Sequence, residues 1–309
     1  MFRSRRSPRS RLAVLGLTVV LGTLAACGLA VPGEQYSMPK AATSVQTPAP
    51  LPSVEMESLN TNAHIPVYWL AENDGTVSLY REFVRVKGAG DPIADSVRYM
   101  LSQKPADPSY FSAWRPSSAV GASISSDNVI TVDLSAKAFD SNVDEGLAER
   151  SIAQLVFTAT AAASNAGILT EGLEPSVRIL VDGETGYDAF GRIALDHNFV
   201  RDATLAAPLW IIDPQFGTTE KAGQVTFHGV SAMFSGGEFW EITRRGESTD
   251  ESTVVASGAL HTGGDSLGHN EFSFSYVLAP GDYSFSAWGI DAQTGHHAGT
   301  ESKDFTVKQ

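Results

Sequence analysis

The sequence predicts an α+β domain followed by an all-β sandwich, both carried behind an N-terminal signal and a tether. Three observations predict it. Between residues 63 and 200, apolar runs of strand length alternate with two segments of helical period. From Leu209 onward no helical period recurs, and short apolar runs stand between Gly and Pro turns. Residues 1–62 hold one uncharged apolar run and then a Pro-rich stretch with no period.

The first eleven residues carry Arg3, Arg5, Arg6, Arg9 and Arg11 and no acid, and Leu12 to Ala26 carry no charge. A basic start, a short apolar run and small residues after it define a secretory signal, residues 1–26. The run is about 15 residues, below the roughly 20 that a spanning helix needs. It ends on Leu24-Ala25-Ala26-Cys27, which places the chain's one cysteine where a lipoprotein box has its modified residue. Cys27 is therefore the expected lipidation site. Its acyl chains would hold the protein on the extracytoplasmic face of the cell membrane, since two or more chains give a stable anchor. With that thiol acylated, none remains for a disulfide, a zinc site or a thiol nucleophile.

Removing residues 1–26 removes five Arg and takes the formal charge from −13 to −18. So acidic a surface repels nucleic acid, and no basic patch offsets it. Residues 27–62, with Pro32, Pro39, Pro48, Pro50 and Pro52 among small polar residues, read as a disordered tether.

Residues 63–200 form the predicted α+β domain. Ile65 to Leu70 is a short apolar strand, and Val77 to Val86 a second whose faces alternate less cleanly. Asp91-Pro92 supplies an N-cap and a first-turn proline, with Ile93, Val97, Met100 and Leu101 following at helical spacing and Pro105 marking the stop. Val120 to Ser135 reads as a hairpin turning at Ser126-Asp127-Asn128. Glu145 to Ser164 is the longest helix, acidic at its start and apolar or small in its second half, and so largely buried. Val177 to Gly183 is a strand running into a turn. The order β-β-α-β-β-α-β is an α+β layer.

After a joint at Arg201 to Pro208, residues 208–309 offer seven strands: 209–212, 224–230, 238–243, 252–260, 271–278, 282–290 and 301–307. Seven short strands in about 100 residues is the pattern of an immunoglobulin-like sandwich. No disulfide joins its sheets, so Phe227, Trp240, Phe274, Phe285 and Trp288 are the expected core.

IPVYWL, LYREFVRV, DPIADSVRYMLSQKP, ITVDLS, AQLVFTATA and RILVDG resemble, in that order, the landmarks of the GerMN domain of sporulation and germination proteins. The resemblance covers roughly residues 63–185; the chain departs from it at YFSAWRPSSAV, where Lys104-Pro105 and Arg115-Pro116 replace the family's Gly-Pro and Pro-Gly. PLWIIDPQFG, QVTFHGVSAMF, LAPGDYSFSAWGIDAQTG and the closing FTV resemble the immunoglobulin-like domain of bacterial spore germination. Together on a lipoprotein signal they are similar to an arrangement in actinobacterial envelope lipoproteins. The resemblance implies a non-enzymatic envelope role, with no catalytic residues and no cofactor.

Signs of chemistry are weak. Gly-Asp-Ser-Leu within Gly263–Gly268 imitates an esterase block, but only 43 residues follow Ser266 and the strand-to-helix context is missing. His228, His261, His269, His296 and His297 cluster in the second domain without a recognised ligand spacing, so no metal is expected. Asp133, Asp140, Asp144, Asp182, Glu184 and Asp188 offer carboxylates for a glycosidase pair, but a sequence shows no cleft between them. The Pro108–Trp114 loop, PSYFSAW, is the expected contact for a ligand or partner, through Tyr110, Phe111 and Trp114. The expected function is a binding or assembly accessory of the envelope, anchored to the membrane at Cys27 and facing a protein partner. The alternative is a wall protein that binds or cleaves peptidoglycan.

Overall fold

A computed structural model describes residues 64–86, 90–232, 234–246, 252–264 and 270–309. The signal segment, Cys27, the tether, Ser266 and His269 lie outside the described residues.

The first domain opens with a long hairpin, β1 (His64–Asn73) and β2 (Thr76–Arg85), paired in register from His64 with Arg85 to Asn73 with Thr76. Asp74-Gly75 turns it with both φ angles positive, 52° and 75°, the two-residue turn whose twist matches the strands. Both faces of the hairpin are covered, which is why its apolar residues do not alternate. Val67 and Trp69 join the main core, while Tyr68 and Leu70 pack with Leu79, Phe157 and Ala161 on the other side.

Helix α1 (Pro92–Ser102) starts where the sequence predicts, with the Asp91 carboxylate accepting from the Ile93 and Ala94 amides at 3.0 Å each. β3 (Val120–Ile124) and β4 (Val129–Leu134) form the next hairpin. Helix α2 (Glu145–Asn165), capped by Asp144, is buried from Ser151 to Ala163. It crosses back to β5 (Ser176–Val181), which lies parallel to β4. A two-residue ladder, β6 (Asp188–Ala189) with β7 (Ile193–Ala194), and β8 (Asn198–Phe199) follow, giving a sheet in the order β3-β4-β5-β8. α2 lacks a single apolar stripe because it is covered twice, by this sheet and by the hairpin.

Among the described residues, the second domain holds strands at all seven predicted places and two short ones besides. They are β9 (Leu209–Asp213), β10 (Thr219–Lys221), β11 (Gly223–Ser231), β12 (Glu238–Arg244), β13 (Thr253–Ala259), β14 (Thr262–Gly264), β15 (Asn270–Leu278), β16 (Gly281–Ile290) and β17 (His297–Lys308). One sheet runs β10-β17-β16-β12-β13 and the other β14-β15-β11-β9. Their inner faces share one core, in which Phe227 and Phe272 of one sheet meet Phe285 and Phe305 of the other. Each such side chain contributes about 1.5–3 kcal/mol by leaving water.

Trp288 does not belong to that core, contrary to the sequence reading. Tyr283, Phe285 and Ala287 point inward along β16, so the period of two turns Trp288 outward. There its ring stacks on His297, with centroids 5.0 Å apart, and on Phe239 at 6.4 Å.

Candidate functional site

The Pro108–Trp114 loop is not an exposed aromatic surface. Phe111 adds itself to the free edge of β1: its amide donates to the Leu70 carbonyl at 2.7 Å, and the Leu70 amide donates back at 2.9 Å. That anchor turns the flanking aromatics inward. Trp114 is 6% exposed; its indole N–H donates to the Ser151 carbonyl at 3.2 Å, and its ring packs on Phe139 and Phe190. Tyr110 is 5% exposed and stacks on Tyr80, and Phe111 is half-buried against the hairpin side of α2. The expected contact residues therefore serve packing, because pairing with β1 fixes which way the loop faces.

Tyr110 instead enters a buried polar knot where the two domains meet. Lys303 of β17, 2% exposed, donates to Asp107 at 2.8 Å and lies 2.9 Å from Glu301. Its ammonium also donates to the Tyr110 hydroxyl and sits 4.1 Å from that ring's centre. The Tyr110 hydroxyl donates to Glu301, whose other oxygen accepts the Ile211 amide. Glu82 accepts the Asp107 amide at 2.9 Å and the Ala106 amide at 3.1 Å. Burial raises the Glu82 carboxyl above its usual range, although those two amides pull it down. Burial, then the Glu301 charge, pushes the Tyr110 hydroxyl well up. Burial pulls the Lys303 ammonium down, but Glu301 and Asp107 outweigh it and the net shift is upward. Three carboxylates and one ammonium, all hydrogen-bonded, make this a fastening rather than an open site.

Two further contacts close the same junction. The Phe83 amide donates to Gln215 at 2.8 Å, and the Ala207 amide donates to the Leu79 carbonyl at 2.9 Å. The second domain thus covers the outer edge of β2.

Three of the six acids weighed for glycan chemistry are spent on backbone amides. Asp133 accepts the Gly183 amide at 3.0 Å, Asp182 accepts the Ala136 amide at 3.3 Å, and Asp144 caps α2. Asp182-Gly183 is a tight turn closed by reciprocal bonds between Val181 and Glu184. Among the described residues, no three His, Cys, Asp or Glu side chains gather closely enough to hold a metal.

The first domain also carries a groove of about 580 Å³. Its floor is Ile152, Ala153 and Val156 of α2, all buried. Ile193, Phe199 and Leu205 form the opposite wall. The rim carries Glu145, Glu149, His197, Val200 and Asp202, all exposed. Hydrogen bonds from the Thr204 hydroxyl and amide hold the Asp202 carboxyl below its ordinary range. His197 bonds Asp196 at 2.8 Å, which likewise lowers that carboxyl, and leans on Phe199 with ring centres 4.2 Å apart. Sequence reasoning missed this groove because residues 193–205 have no period. The one legible sign was the acidic start of a helix otherwise built to be buried.

Residues 66–187 match the family model Germane, described as sporulation and spore germination. No curated protein matches the chain. Among solved structures, the tandem GerMN domains of the sporulation protein GerM from Bacillus subtilis are 18% identical, over 48% of this chain and 51% of that one, with a TM-score of 0.34. The chain thus spans about half the length of that tandem structure. The first GerMN domain of the same protein is 12% identical, over 40% of this chain and 85% of that one, at 0.31. A putative lipoprotein from Clostridium perfringens is 16% identical, over 45% and 88%, at 0.26. By its match to the Germane model, the segment 66–187 is GerM-like.

Proposed function

We propose that the chain is a non-enzymatic accessory of the cell envelope, related in role to sporulation and germination proteins and held on the outer face of the membrane by lipid on Cys27. The observation that carries this reading is the Germane match over residues 66–187. The Leu24–Cys27 box supports the anchor, and the nine strands of the second domain support an immunoglobulin-like sandwich. The second domain does not swing on a bare linker. Lys303 and Glu301 engage the first domain, which suits a part that presents a surface to a partner.

The reading is tested by expressing the full chain and its Cys27→Ala variant in an envelope-bearing host, with labelled palmitate. Label and membrane retention in the parent, both absent in the variant, are expected. Equal retention of the two would remove the anchor and the location argued from it. The wall-binding alternative loses its main support, since Trp114 is buried. Sedimentation with purified peptidoglycan is expected to leave the protein in the supernatant.

A further inference from the structure

We propose that the groove between α2 and residues 193–205 is a docking site for a basic amphipathic helix of a partner protein. The inference rests on the accessory reading above and names the surface that reading leaves open.

The groove joins an apolar floor to an acidic rim. Ile152, Val156, Phe199 and Leu205 supply the apolar part, and Glu145, Glu149 and Asp202 the charge. Three neighbouring arginines make their hydrogen bonds away from that rim, while Arg192 is exposed beside Ile193. Arg150 donates to the Val77 carbonyl at 2.7 Å and to the Gly146 carbonyl at 3.1 Å. Arg201 donates to the Thr160 hydroxyl at 2.6 Å and to the Phe157 carbonyl at 3.3 Å, and its guanidinium lies 5.0 Å from the Phe157 ring centre. Arg178 donates to Asn198 at 2.6 Å. Carboxylates therefore face solvent beside an apolar trough, and Val200, 55% exposed, extends the apolar surface at the mouth.

The occupant follows from charge and length. The α2 wall runs from Glu145 to Val156, about 16 Å at 1.5 Å per residue, the length of a three-turn helix. A helix laid along it would seat apolar anchors one turn apart in the trough, with Lys or Arg on its flanks meeting the rim. The chain's own tether does not complement this surface, having Lys40 against Glu34, Glu55 and Glu57. A second copy, at net −18 once residues 1–26 are removed, is repelled. The partner is a different protein.

The test is fluorescence anisotropy with the full chain held in detergent. The probe is a labelled helical peptide of about 12 residues with a Leu stripe and Lys flanks. A second peptide has Glu for every Lys. Saturable binding of the Lys peptide is expected, about tenfold tighter than the Glu peptide. Glu145→Lys with Glu149→Lys should abolish that preference. Glu171→Lys with Glu174→Lys, which moves the same charge at exposed positions elsewhere, should leave it intact. If the first pair loosens the start of α2, Glu149→Lys and Val200→Asp singly should each weaken binding several-fold. The proposal is overturned by no saturable binding, by equal binding of the two peptides, or by equal losses in the two charge-reversed pairs. It would survive a failed Cys27→Ala fractionation, since the peptide assay does not depend on where the chain resides.

Discussion

Lys303, on the last described strand of the second domain, reaches Asp107 of the first across 2.8 Å, with both side chains under 5% exposed. The ammonium pairs with Asp107 and Glu301, its charge acts on Glu82, and Tyr110 accepts a further hydrogen bond from it. The junction is therefore held by charge that water does not screen.

Lys303→Met should destabilise the protein by about 3–5 kcal/mol, because it leaves two carboxylates buried without their cation. Urea unfolding at neutral pH measures it. Adding Glu301→Gln should recover part of the loss, because it removes one of the two stranded charges. A loss under about 0.5 kcal/mol would mean that the pair is solvated.

Alkali should weaken the same junction. Lys303 and Tyr110 both bind their protons more tightly folded than unfolded, and Tyr80, buried beside them, does too. The stability they contribute is whole below about pH 10, the unfolded range of both residue types. It is lost as the pH rises through the higher folded values. Glu82 is also raised, so its share is present in acid and lost as the pH climbs past its folded value. Melting temperature against pH should fall steeply above about pH 10, and less steeply in Tyr110→Phe.

Trp114→Ala should cost about 3–5 kcal/mol, from the lost ring in the Phe139 and Phe190 pocket. Its effect on any binding should therefore track the fraction folded. Binding by a fully folded Trp114→Phe that matched the parent would agree; a selective loss of binding would return Trp114 to a contact role.

Asn128 is buried in the left-handed region, φ 56°, and its amide donates to the Thr170 and Leu173 carbonyls at 2.8 Å each. Asn128→Gly keeps that backbone freely and should lose about 1–3 kcal/mol from the stranded partners. Asn128→Ala should lose more, since alanine also resists that φ. Chemical denaturation of the three proteins separates the two contributions.

What local signals decide was legible in the sequence. Asp91-Pro92 marked the start of α1, and the spacing of turn residues marked the strands of the second domain. What two-sided burial decides was not. β2 and α2 are covered on opposite faces by different neighbours, which erases the period that sequence reading depends on. The Pro108–Trp114 loop misled for a related reason. Its aromatics suggested display, but one backbone pairing, Phe111 with Leu70, sent them inward, and such pairings leave no trace in composition. Lys303 drew no separate reading within the predicted strand 301–307; its contacts with Asp107 and Tyr110 of the other domain make it internal.

That placement orders the steps of biogenesis. During synthesis from the N-terminus, Asp107 and Glu82 emerge about two hundred residues or more ahead of the ammonium that neutralises them. Until β17 pairs with β16, the first domain holds a half-built seam of like charges. Maturation therefore finishes from the rear, and a protease that clipped β17 would loosen the front of the molecule before it reached any of the first domain's own bonds.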